Sequence, residues 1–326
     1  MTKRLILAAL TALVAVAMAT AQQISVVTEG GETSLYSTLA DAINGADPGS
    51  VIYLPGGGFP IADSVKITKK LTIIGIGHRS DNDNVDGCTS IAGNVFFNGG
   101  SDGSAILGCY ISGSVCIGYD DVSVNNILIK YCNASSVSSR ANCENITVSQ
   151  NYLRNTSSIR GCYSIVKNNV LHSLLEMNSS TICNNIVRNY ITMGAYHSCF
   201  WSVSNSIISN NIIIEPGSDG PGRFCSNNQV YQNMFINRNW GDNCVTLTGC
   251  TWNDVFVNYN GGAISPMSDF HFTEDYQQYS ECGIYGGTGF NDHQTAPVPY
   301  IVSKTVDEQT NSAGFLNITI TVKAGE

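Results

Sequence analysis

The chain has 326 residues, of which 13% are charged, with 32 glycines, 12 cysteines and a formal net charge of −9. Soluble domains average roughly 25% charged residues, so a charge-laced coiled coil, a helical bundle and an acidic disordered tail are all excluded. An acidic balance with no clustered Lys or Arg also argues against a nucleic-acid backbone as partner, because that binding rests on concentrated cations.

The chain opens with Lys3 and Arg4, an apolar run from Leu5 to Met18 and the small residues Ala19, Thr20 and Ala21. This is the pattern of a secretory signal peptide cleaved after Ala21, and the apolar run is shorter than the roughly 20 residues a bilayer requires. Residues 1–21 are therefore read as a signal peptide. The mature protein is expected to be secreted or periplasmic, or held at the cell surface, and to have no membrane span.

From residue 22 the sequence becomes a series of short β-branched runs. Ser37–Ile43 reads as an amphipathic helix, Asp47–Pro55 as a turn and first strand, and Ile67–Gly77 as the next strand. Asp81, Asp83 and Asp86 then make an oxygen-rich loop. It begins like a calcium loop but lacks the glycine and the closing glutamate of an EF-hand, so no cofactor is expected and calcium there is the weaker alternative.

An internal repeat follows. Val148–Leu153, Val166–Leu171, Ile186–Ile191, Ile208–Ile213 and Val230–Phe235 share the frame apolar-x-x-Asn-x-apolar, anchored on Asn151, Asn169, Asn189, Asn211 and Asn233 at spacings of 18, 20, 22 and 22. Upstream, Cys109 and Cys132 occupy the Asn position, and a weaker copy ends at Asn260. A period near 20 without a helical 3.6 pattern is that of a solenoid built from short strands. With rungs about 4.8 Å apart, about ten coils would make a rod roughly 50 Å long. Asn tolerates the left-handed corners of such a coil, and its amide can bond to its equivalent one rung away, so the five anchors are expected to form a structural ladder.

Cys143, Cys162, Cys183 and Cys225 precede their anchors by 8, 7, 6 and 8 residues. That near-constant phase suggests a buried thiol column in preference to disulfides, with a Cys244–Cys250 bridge as an alternative. No cysteine or histidine pair has zinc spacing.

Residues seven to nine positions past each anchor should share one face. They are Arg140, Arg160, Glu176, His197, Asp219 and, in the last coil, both Trp240 and Asp242. Glu176 and Asp219, about 10 Å apart across two rungs, could span the separation of an inverting glycoside hydrolase, with His197 between them. A lyase would use a base beside a uronate whose carboxylate pairs with Arg140, Arg160 or Arg223, while Trp240 and Tyr196 could stack on a sugar. An ordinary solvated face is the plainer reading of this column. His271, Glu274 and Asp275 are placed in a loop that packs on the rod through Phe270 and Phe272.

Residues 263–326 lose the repeat, and Tyr300–Val306 and Phe315–Val322 alternate as two strands. Two strands alone are marginal, so they are expected to pack on the rod as a C-terminal cap, a surface-sorting signal being the alternative.

The repeat with its helix-and-strand opening resembles secreted right-handed parallel β-helix proteins of the pectate-lyase-like type, in particular the uncharacterised exported type of the Bacteroidetes, over residues 25–262. The resemblance implies an all-β, single-stranded right-handed parallel β-helix over 22–262, with an N-terminal cap helix, and an irregular segment and C-terminal strand pair over 263–326. It carries over no catalytic residue, since neither the calcium-binding Asp pattern and catalytic Arg and Lys motifs of pectate lyases nor the Asn-x-Asp and Gly-His-Gly motifs of polygalacturonases are matched. The expected function is non-catalytic binding of a polysaccharide, a cell-surface glycan or another surface partner. The alternative is a polysaccharide lyase or glycoside hydrolase acting on an extended polysaccharide, neutral or acidic. Nothing in the spacing specifies an oligomeric state.

Overall fold

The computed structural model describes residues 23–79, 87–189, 198–215, 219–259, 264–292, 300–306, 309, 314–316 and 318–323. The signal-peptide residues, Asp81, Asp83, Asp86, Tyr196 and His197 lie outside the described residues.

The short β-branched runs become rungs of long parallel sheets. In the first, an 11-stranded sheet, Ile52, Ile73, Ile106, Ile129, Val148, Val166, Ile182, Ile208 and Val230 pair in exact succession across nine strands. Stiff β-branched side chains suit such a column, because their restricted χ1 fills a pleated interior at little rotamer cost. All but Val230 are fully buried, at 0% exposure.

The 16-stranded second sheet contains two stacks joined through Thr89–Phe97, which pairs with Tyr110–Ile111 at one end and Val115–Ile117 at the other. A typical coil therefore passes once through the first sheet and twice through the second, a topology consistent with a β-helix.

Turning the chain between strands requires left-handed backbone, and this explains the wealth of Asn and Gly. One corner is occupied in successive coils by Tyr131, Gln150, Asn168, Asn184, Asn210 and Gln232, with φ between 52° and 56°. A second holds Asn126, Asn145, Tyr163, Ser179, Asn205 and Asn227, and a third Glu176, Ser202 and Phe224. Asn enters this region more easily than other L-residues because its short amide bonds locally.

The residue after the first corner points inward and forms the ladder. Asn151 donates its backbone N–H and its amide to Asn169 Oδ1 (2.9 and 3.0 Å), and the pattern repeats from Asn169 to Asn185, Asn185 to Asn211 and Asn211 to Asn233. The rung between Asn169 and Asn211 is thus Asn185, not Asn189. The coil frame is Ile182-Cys-Asn-Asn185-Ile-Val187, only 16 residues after Asn169, and the following coil is correspondingly long, with 26 residues to Asn211. Ile186 faces outward and mimicked the start of a frame. Asn189 is buried beside the rod, its backbone N–H on Glu215 O at 3.0 Å. Upstream, the N–H of Cys132 donates to Asn151 Oδ1 (2.9 Å), so Cys replaces Asn in the column as its spacing suggested.

Serines form a second ladder that the repeat frame did not reveal. The N–H of Ile146 meets Ser164 Oγ, that of Ser164 meets Ser180 Oγ, and that of Ser180 meets Ser206 Oγ; the N–H of Ser206 ends the run on Asn228 Oδ1.

The anticipated four-cysteine column does not form. Cys143 is buried in the core, Cys162 lies in the row of Glu144 and Asn178, and Cys183 pairs with Lys167 and Ser209 on another sheet. All twelve cysteines are free thiols, so Cys244 and Cys250 are not bridged.

At the N-terminal end, antiparallel strands Ile24–Val27 and Thr33–Tyr36 precede helix α1, Leu39–Gly45. Thr38 Oγ1 accepts from the N–H of Asp41 (3.1 Å), an N-cap that starts the helix, and Leu39, Ala42 and Ile43 join the rod's core.

The last rung is Val245–Leu247. Asn260, the anchor of the weak repeat copy, lies outside the described residues; before it, after helix α2, Trp252–Val255, the strand Phe256–Asn258 pairs antiparallel with Asp269–Phe272 and is not a rung of the parallel sheets. This segment lies along the rod's side and covers the outward column Val170, Ile186, Ile212 and Met234 with Trp252, Phe256, Phe270, Phe272 and Ile284. Phe270 and Phe272 pack on the rod as expected, at 2% and 6% exposure, but the segment is no loop: His271 lies in the strand Asp269–Phe272, and Glu274 and Asp275 begin a 3-10 helix. Two corner asparagines fasten it, Asn168 Nδ2 donating to Ile284 O and Gly286 O, and Asn184 Nδ2 to Glu281 O. Tyr300–Val306 and Ile318–Lys323 form the expected antiparallel pair, with Phe315, Leu316, Ile318 and Ile320 exposed.

Candidate functional site

One stack of the second sheet presents an outward strip, interrupted at Leu175, which is only 6% exposed. Cys116, Ser138, Ser158, Leu175, Trp201 and Arg223 succeed one another in register. Beside the last three, the left-handed corner adds Glu176, Ser202 and Phe224. The rung alignment brings most of the charged residues singled out by spacing to this region, at one edge of a rigid sheet.

Each guanidinium on the strip has its own carboxylate. Arg140 Nε lies 3.0 Å from Asp121, Arg160 Nε lies 2.7 Å from Glu176 Oε2, and Arg223 is ion-paired with Asp219 four residues earlier. Ser158 Oγ also donates to Glu176 Oε2 at 2.8 Å. Burial by itself would raise the Glu176 pKa, but the hydrogen bonds from Ser158 and Arg160 and the nearby guanidinium charge outweigh it and hold the carboxyl below its ordinary value. Glu176 is therefore an ionised, satisfied acceptor and is not poised as a proton donor. Glu176 and Asp219 do belong to coils separated by the rung of Phe200–Trp201, as the spacing indicated, yet each is neutralised by its own arginine.

At the C-terminal end the strip becomes aromatic. The Arg223 guanidinium lies over Trp201 at 5.2 Å and over Phe224 at 5.0 Å, while Trp201 and Phe224 meet edge to face at 4.8 Å. Phe224 is 64% exposed and adopts φ 54°. A bulky side chain in left-handed backbone costs on the order of 1–3 kcal/mol, and such outliers cluster where a side chain must be presented.

Trp240 takes no part in this surface. Its ring stacks on Phe200 at 5.4 Å and closes the end of the core, in space left open by Gly222, whose Cβ would approach Trp240 to 2.3 Å. Asp242 is exposed and serves the stack through its backbone, which bridges to Tyr231. Trp201 and Phe224 escaped the count because they stand 16 and 13 positions past their anchors Asn185 and Asn211, in coils lengthened between the anchor and this stack.

Among the described residues no group of three or more His, Cys, Asp or Glu is arranged to hold a metal ion, and no helix is long and apolar enough to cross a membrane. The chain matches no protein-family model, no curated protein and no solved structure.

Proposed function

We propose that the protein is an exported right-handed parallel β-helix of the pectate-lyase-like kind that binds an extended, neutral glycan along the strip from Arg140 to Phe224, without turning it over. The Arg223, Trp201 and Phe224 cluster carries this reading. An exposed Phe224 beside the half-buried Trp201, with a guanidinium over them, offers apolar surface for sugar C–H groups and donors for hydroxyls, on a rigid edge that pays little ordering entropy. Pairing of all three guanidiniums with carboxylates leaves the strip without a net attraction for a polyanion, which favours a neutral chain over a uronate polymer.

The lyase or hydrolase alternative needs a proton donor or base with a perturbed pKa suited to its task. Glu176 is shifted the wrong way for a general acid.

Affinity electrophoresis against neutral and acidic polysaccharides, with assays for reducing ends and unsaturated products, tests the proposal. Retention by a neutral polysaccharide should persist at about 1 M NaCl, where the Debye length is about 3 Å. It should fall at least tenfold in Trp201→Ala and Phe224→Ala. Product release lost in Glu176→Gln or Asp219→Asn would replace the binding reading with an enzymatic one.

A further inference from the structure

The row of outward side chains continues past Cys116 towards the N-terminal end, where Lys66 and Phe96 precede it in register. Phe96 is 9% exposed, and Tyr119 of the next coil lies against it, with ring centroids 4.5 Å apart and planes inclined at 42°. Tyr119 itself is 56% exposed. One coil further on, the Arg140 guanidinium stands over the Tyr119 ring at 6.0 Å, the outer limit of a cation–π contact, while its Nε lies 3.0 Å from Asp121 Oδ1.

The turn that presents Tyr119 is held firmly. Gly118 and Asp121 have left-handed backbone, with φ of 69° and 61°, and the N–H of Asp121 donates to Gly118 O at 2.9 Å. The Asp120 carboxylate accepts from the N–H of Gly99 at 3.1 Å and from that of Val122 at 3.4 Å, which ties the turn to the preceding coil. Val122 packs so closely over Gly99 that a Cβ there would stand 2.8 Å from it. An aromatic ring exposed on a fixed turn loses little freedom on binding.

The two ends of the row are thus built alike. At each, a guanidinium with its own carboxylate stands over an aromatic pair, Arg140 over Tyr119 and Phe96 as Arg223 over Trp201 and Phe224. Between them the outward residues are Ser138, Ser158 and Leu175, beside the paired Arg160 and Glu176. Through these residues the rungs of Cys116 and Trp201 are four steps apart, about 19 Å at the rung spacing.

We propose that the Tyr119 cluster is a second sugar-binding subsite, so that one neutral glycan chain lies parallel to the rod axis and is gripped at both ends of the row. The inference rests on the reading of the strip as a glycan-binding surface, and adds to it the direction of the bound chain and its minimum length. The exposed Tyr119 face takes sugar C–H groups, and the Arg140 N–H groups not used by Asp121 can donate to hydroxyls. Paired charges give neither end a net pull on an ionic partner. Two small aromatic faces separated by a polar stretch match a repeating polar chain better than a protein partner, which would need one contiguous apolar patch. A pyranose unit advances an extended glycan by about one rung, so a trisaccharide reaches one cluster and a hexasaccharide reaches both. Engaging the second cluster is then intramolecular and raises affinity.

Calorimetric titration of the whole chain with cello-, xylo-, manno- and laminari-oligosaccharides, trimer against hexamer, tests this. In at least one series the hexamer is expected to bind about tenfold more tightly than the trimer, or better. Tyr119→Ala should erase that advantage and leave trimer binding at the Trp201 and Phe224 cluster intact. Tyr119→Leu keeps an apolar cover over Phe96 and removes the flat face, so the same loss with an unchanged melting curve is not a folding defect. A hexamer no tighter than the trimer in every series, an advantage that survives Tyr119→Leu, or polysaccharide retention without binding of any oligosaccharide would overturn this subsite alone. Failure of every oligosaccharide and every polysaccharide to bind would overturn the subsite and the reading of the strip together.

Discussion

Single side chains in this protein matter according to whether a neighbouring rung relies on them. Asn185 accepts from the backbone N–H and the amide of Asn169 and donates to Val166 O, Cys183 O and Asn211 Oδ1, all within 3.0 Å. Truncation leaves several buried groups without partners at about 1–3 kcal/mol each, so Asn185→Ala is expected to cost about 3 kcal/mol or more in a urea melt. An effect under about 1 kcal/mol would mean that water replaces the amide. Glu176 lies at the other extreme, a surface partner of Arg160 with 40% of its side chain exposed. Its folded pKa is lowered, so its contribution is present above the ordinary glutamate value of 4.5 and is lost as pH falls below it. Melting temperatures of the native protein and Glu176→Gln should differ slightly at neutral pH, given solvent screening, and converge in acid.

Elements here are only two to four residues long in most coils, so their stability comes from stacking. Where two turns approach, a missing Cβ is essential: one added at Gly161 would stand 1.9 Å from Cys143 O. Because that contact is with backbone, Gly161→Ala should force the two coils apart and lower the midpoint of denaturation by an amount equivalent to about 2 kcal/mol. The rungs also set thiol chemistry. Cys109, Cys132, Cys143, Cys199 and Cys282 are buried, and burial pushes Cys132 up to about 12 and Cys282 to about 11. Thiolates are the reactive form. Titration with a thiol reagent at pH 8 is expected to modify the other seven first, and these five only after denaturation. Rapid reaction of all twelve would contradict the packing.

For the whole molecule, stacking makes neighbouring coils the main cooperative contacts, as expected of a quasi-one-dimensional array. The C-terminal segment adds a second core along one side, and among the described residues that core includes no side chain of the strip. The repeat, the β-branched columns, the capped helix α1 and the inward Phe270 and Phe272 were legible in the sequence because each depends on local periodicity: a residue every second position in a strand, or once per coil. The Asn185 rung was not, since coils of 16 and 26 residues on either side of it fall around the same average, and only pairing between strands shows which Asn faces inward. Nor could spacing tell that Trp240 packs against the core while Phe224 faces solvent, or that Asp292 and Arg79, more than two hundred residues apart, come together. Those outcomes are decided by how the coils stack and where the last segment crosses them, because a side chain's surroundings are set by neighbours distant in the chain.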